Sequence, residues 1–123
     1  GKELYEALMT DGRVAVNNIF FDTGSANIRA ESTPVLTKIG TMMQQYTDLN
    51  LLIEGHTDDD GGFDMNMKLS SDRAAAVKEY LISNFGIVED RLRAMGLGPT
   101  RAVAPNDSPE GRQQNRRVEL VRM

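Results

Sequence analysis

Asp58 and Arg73 are the two residues whose chemistry and spacing most invite a function. They frame the stretch Thr57 to Val77, T-D-D-D-G-G-F-D-M-N-M-K-L-S-S-D-R-A-A-A-V, which leaves an apolar segment, turns on Gly61 and Gly62 and enters a helical pattern. A carboxylate at a strand end and a guanidinium at a helix start can face one another across such a turn. Together they could hold a ligand that carries both an ammonium and a carboxylate. The same two groups could instead pair with each other and staple the turn, and the residue types leave both readings open. Ser70 reads as the N-cap of a helix over residues 71–84, which puts Arg73 in its first turn. Backbone N–H groups there favour negative charge, so a cation at that position wants an anion beside it.

Other polar clusters fit known chemistries less well. Aligning His56, Asp58, Asp60 and Gly61 with a calcium loop puts His56 at its first position and Met67 at its twelfth, where oxygen ligands are required. His56 is the only histidine and there is no cysteine, too few ligands for a zinc centre, so no metal and no cofactor is expected. A hydrolase built on His56 and Asp58 would need a nucleophile, and Ser70 is better explained as a cap. Asn115-Arg116-Arg117 precedes a terminal alternating segment. It is either an exposed basic strand start, or the Asn and one Arg complete the same cleft as Asp58 and Arg73. Methionines at core spacing read as apolar filling.

Composition sets the frame for these groups. A chain of 123 residues with 40% hydrophobic and 26% charged residues suits one globular domain with one core, residues 1–13 being a leading helix or linker and 14–122 the core. A formal charge of −4 argues against general affinity for nucleic acid. No apolar run approaches the ~20 residues that span a bilayer, and no signal peptide is seen.

The positioning elements are read from periodicity. Leu4, Tyr5, Leu8 and Met9 give a short first helix stopped by Asp11-Gly12. Val14 to Phe21 reads as a strand, with Asn17-Asn18 breaking its alternation. Thr33 as N-cap and Pro34 at the first position open a helix that buries Val35, Leu36, Ile39, Met42, Met43 and Tyr46. Residues 49–55 form a largely buried strand, and 92–97 read as a third strand leading to Gly98-Pro99. Residues 100–114, rich in Pro, Asn and Gly, read as a long surface loop, and Arg117 to Val121 alternates as a half-exposed strand. The expected fold is α+β, a βαβαβ core with a further strand, as a mixed sheet with helices on one face.

The pattern T-D-x-x-G-x-x-x-x-N-x-x-L-S-x-x-R-A-x-x-V, filled by Thr57, Asp58, Gly61, Asn66, Leu69, Ser70, Arg73, Ala74 and Val77, resembles the signature of the OmpA-like carboxy-terminal domain. Ile19-Phe20-Phe21-Asp22, Gly96-Leu97-Gly98 and Asn115-Arg116-Arg117-Val118-Glu119 are similar to that family's flanking elements, and the likeness covers about residues 14 to 122. The resemblance implies non-covalent binding of peptidoglycan rather than catalysis. It implies that Asp58 takes the ammonium and Arg73 the carboxylate of the diaminopimelate in the stem peptide, Arg73 being helped by first-turn N–H groups. Thr57, Asn66, Leu69, Phe21, Asp22, Asn115 and Arg116 are further candidates for the cleft. It also implies a place on the periplasmic side of the outer membrane of a diderm bacterium, attached through a barrel, a lipid or a membrane helix, with homo-oligomers left open. The alternative is a periplasmic protein-interaction module that does not touch the cell wall.

Overall fold

Why the helix after the glycine turn carries Arg73 where it does is a matter of two missing side chains. In the computed structural model, which describes residues 2–123, Gly55 and Gly96 are register partners on neighbouring strands. The backbone of the helix at Ser70 and Ser71 lies directly on them. A Cβ at Gly55 would come within 2.3 Å of the Ser70 carbonyl oxygen, and one at Gly96 within 2.2 Å of the Ser71 nitrogen. Only glycine permits this approach.

The strands are β1 (Arg13–Val16), β2 (Leu51–His56), β3 (Leu92–Gly98) and β4 (Arg117–Arg122). They form one mixed sheet in the order β1-β4-β2-β3, with β4 antiparallel to both neighbours and β2 parallel to β3. A helical crossover is the usual link between parallel neighbours, and here α3 (Phe63–Phe85) supplies it. The period of two sends Val16, Leu51, Ile53, Leu92, Val118 and Leu120 to one face. There they meet Leu8 of α1 (Lys2–Asp11), Leu36, Ile39, Met42 and Met43 of α2 (Thr33–Gln45), and Ala74, Val77 and Leu81 of α3. This is the expected α+β architecture, with three helices on one face of a mixed sheet. Each fully buried Leu or Ile in this cluster contributes about 1.5–3 kcal/mol.

Several local expectations are corrected. Helix α3 begins at Phe63 with Gly62 as its N-cap, not after Ser70, because nothing between Gly62 and Gly86 breaks it and Asp64 suits its first turn. Ser70 is buried in mid-helix. Its hydroxyl donates to the Met67 carbonyl and accepts the Gly98 N–H, tying α3 to the end of β3. Arg73 therefore sits in the third turn, away from the N-terminal N–H groups, and the helix-dipole argument for an anion there falls. Helix α2 is preceded by a 3-10 turn, Ala30–Ser32, so Thr33 is not its N-cap. The Ser32 hydroxyl accepts the Phe20 N–H and donates to the Phe20 carbonyl. The strand expected from Val14 to Phe21 ends at Val16; Phe20 is tied to Ser32 instead, and Phe21 makes only an isolated bridge with Ile28. The long polar loop holds a short helix, α4 (Pro109–Asn115), capped by the Ser108 hydroxyl on the Gly111 N–H.

Candidate ligand-binding site

Strand β2 delivers Thr57 and Asp58 to the end of the sheet beside α3. The Thr57 N–H donates to the Gly98 carbonyl at 2.9 Å, extending the β2–β3 pairing past its bulge. The Thr57 hydroxyl donates to the Asp58 carbonyl, and Asn66 on the first turn of α3 donates to the Asp60 carbonyl at 3.0 Å. The turn is thus fastened from within, with Thr57, Asp58 and Asn66 all buried. The Asp58 carboxylate accepts the Asp60 N–H at 3.0 Å through Oδ1 and Arg116 Nη1 at 2.5 Å through Oδ2.

Arg73 is held independently. Its Nε donates to the Ser25 carbonyl at 2.8 Å and its Nη2 to the Asp22 carbonyl at 3.2 Å, while the guanidinium lies 4.8 Å from the centre of the Phe21 ring. None of these partners is an anion, and Arg73 makes no ion pair with a carboxylate among the described residues. Burial, and then the charge of Arg116, push its pKa below the usual arginine value; it nevertheless stays a cation at any relevant pH. The staple between Asp58 and Arg73 is not formed.

Both groups line one cavity of about 530 Å³ at this end of the sheet. Thr57, Asn66, Leu69, Phe21 and Arg116 line it too, alongside Gln113 and Thr23. Two candidates do not. Asn115 is fully buried beneath the loop: its Oδ1 accepts the N–H groups of Val103 and Ala104, and its Nδ2 donates to the Ala104 carbonyl and Asn106 Oδ1. The Asp22 carboxylate turns to Arg29 at 3.0 Å, and only its backbone carbonyl reaches Arg73.

The reading of Arg117 as an exposed basic residue is also corrected. Its side chain is 3% exposed and donates from Nε to Glu119 Oε2, and from its other nitrogens to the carbonyls of Asn115 and Arg101. Arg13 Nη1 donates to Glu119 at 2.6 Å and to Glu54 at 3.1 Å, and His56 Nε2 lies 3.1 Å from Glu54 Oε1. This ionic layer covers the sheet face opposite the core. Sequence reasoning missed it, although the alternation of Glu54 with His56 and of Arg117 with Glu119 was its only available signal. Glu54, His56 and Glu119 bring ligating atoms within 4.8 Å of one another, but the guanidinium groups of Arg13 and Arg117 already supply the positive charge a divalent ion would bring. Burial, then the field of Arg117, hold His56 below its usual pKa. For Glu119 burial acts upward, but hydrogen bonds from Arg13 and Arg117 and the charge of Arg117 hold it below the usual range. His56 faces Glu54, and the Ser70 hydroxyl is committed to Met67 and Gly98, so no serine–histidine pair forms among the described residues.

Comparison with known proteins agrees with this fold. Residues 20–116 match the model of the OmpA family. The chain is 39% identical over 105 residues to YiaD of Escherichia coli (strain K12), covering 85% of this chain and 48% of that protein. It is 37% identical over 102 residues to the peptidoglycan-associated lipoprotein of Mesorhizobium japonicum, covering 83% of this chain and 60% of that one. The chain thus spans less than two thirds of the length of these relatives. Its fold superposes on a MotB-like protein from Desulfovibrio vulgaris with a TM-score of 0.79 at 28% identity, covering 98% of this chain and 86% of that one. The chain, with its mixed sheet, its glycine-seated helix and the Asp58–Arg73 cavity between them, belongs to the OmpA family.

Proposed function

We propose that this chain binds peptidoglycan non-covalently by gripping the diaminopimelate of the stem peptide, and so anchors an envelope protein to the cell wall. The observation that carries this reading is that Asp58 and Arg73 line the same cavity while neither neutralises the other. The free end of a diaminopimelate side chain presents an ammonium and a carboxylate on one carbon. Asp58 is the group to meet the first, and Arg73, braced by two carbonyls and an aromatic face, the second. Thr57, Asn66, Leu69 and Phe21 shape the walls. A relative named for its association with peptidoglycan supports the same ligand class.

This function places the chain on the periplasmic side of the outer membrane, held to a membrane by a barrel, a lipid or a helix elsewhere in its parent. Single-site affinity is modest because a partly exposed charge pair is screened by salt, and many copies on one polymer supply avidity. Pull-down by purified diaminopimelate-type sacculi tests the reading. Asp58→Ala and Arg73→Ala are expected to lose retention by the sacculus while keeping a cooperative melting transition. Full retention of both variants refutes it.

A further inference from the structure

Asp58 is not vacant in the structure. Oδ1 is taken by the Asp60 N–H and Oδ2 by Arg116 Nη1, and the side chain is only 9% exposed. Each oxygen keeps a second acceptor site, but with the side chain this buried an ammonium must crowd in beside Arg116 or displace it. The two partners differ in freedom. Asp58 is fixed by the strand exit and the fastened turn, whereas Arg116 is 43% exposed on a long side chain whose other nitrogen rests on Gln113 Oε1 at 2.7 Å. Arg116 is the group that can move.

Charge matching decides which ligand gains from that movement. The central groups are Asp58, Arg73 and Arg116; Arg117 also lines the cavity but is paired with Glu119, and Asp60 is exposed to solvent. Before binding, Asp58 and Arg116 neutralise each other and Arg73 lacks an anion. Once a ligand ammonium occupies Asp58, both guanidinium groups lack one. A ligand with one ammonium and one carboxylate would leave Arg116 bare beside Arg73, and the two already repel each other at rest. A ligand with one ammonium and two carboxylates leaves no charge unmatched.

We infer that Arg116 is the resident counter-ion of Asp58, that the ligand's ammonium displaces it, and that the freed guanidinium takes a second carboxylate of the ligand. The inference rests on the diaminopimelate reading and sharpens it. The preferred epitope is a stem whose diaminopimelate keeps its ammonium and both carboxylates free, as at the end of a tripeptide stem. Amidating the carboxyl at the peptide-chain end removes the second anion and leaves the side-chain end untouched.

The test is calorimetric titration with L-Ala-γ-D-Glu-meso-diaminopimelate and with the same tripeptide amidated at the α-carboxyl of its diaminopimelate. The free carboxylate of the glutamate is common to both peptides and cancels. The native chain is expected to bind the free acid about tenfold more tightly, the equivalent of one charge-assisted hydrogen-bonded pair. In Arg116→Gln the preference falls to within about twofold, and the amidated peptide binds more tightly than it does to the native chain, because its competitor for Asp58 is gone. Arg116→Lys keeps much of the preference. A native ratio near one, or an Arg116→Gln ratio equal to the native one, overturns the exchange while leaving the diaminopimelate reading intact. Failure of both peptides to bind the native chain overturns that reading and the exchange with it.

Discussion

Gly55 and Gly96 stand opposite one another on β2 and β3, and the backbone of α3 rests on both at Ser70 and Ser71. This contact sets the distance between the strand end that carries Asp58 and the helix face that carries Arg73. A side chain on either glycine must push the helix outward, since the atoms it meets are mostly backbone and cannot rotate away.

Gly96→Ala is therefore expected to cost about 1–3 kcal/mol of stability by overpacking. Retention by sacculi should fall further than the lost stability alone explains, because α3 carries Arg73 with it. Denaturant melts alongside pull-downs check both parts.

Arg73→Lys keeps the charge but loses the planar fork, the stack on Phe21 and one of the two carbonyl contacts. Sacculus affinity should drop about tenfold with a melting temperature close to the native one. Affinity of the native chain should also fall as salt is raised. Salt-independent retention would count against a charged ligand.

The ionic layer on the outer sheet face gives stability a pH dependence in two windows. His56 titrates below its ordinary 6.5 in the folded chain, so the unfolded chain takes up its proton first. The stability it contributes is complete above 6.5 and is lost as pH falls from there through the folded value. Glu119 is held below its ordinary 4.5, so its contribution is present above 4.5 and is lost only at lower pH, through its own folded value. Thermal melts from about pH 8 to about pH 3 should show a first decline beginning near 6.5. That decline flattens in His56→Gln, while the lower one persists.

Asn115→Ala removes four hydrogen bonds from a fully buried position under the loop. Leaving three backbone groups and the Asn106 side-chain oxygen without this partner should cost about 2–4 kcal/mol. Any loss of binding should recover in the folded fraction, since Asn115 does not reach the cavity. Calorimetry of the variant against the tripeptide, well below its melting temperature, separates the two.

Most elements and their inward faces were legible in the chain itself, because burial of one face leaves a period in the residue order; the early end of β1 and the short helix α4 were not. Leu36, Ile39 and Met43 announce the buried stripe of α2, and the alternation of Val118 and Leu120 with their polar neighbours announces β4. Asp58 and Arg73 were legible as a pair because both lie in one short, patterned stretch. The start of α3 was misread because Ser70 has the chemistry of a cap. Its actual partners, Met67 and Gly98, are supplied by the packing of helix on sheet.

The residue order by itself determined an α+β chain with a carboxylate at a strand end and a guanidinium on the helix that follows. Tertiary structure alone decided that Asp58 meets Arg116 across 58 positions, that Arg73 is left among carbonyls, and that Asn115 serves the loop instead of the cavity. The physical reason is that local patterns report which face of an element is buried. The partner of a long charged side chain depends instead on which distant backbone or carboxylate the packing brings within about 3 Å.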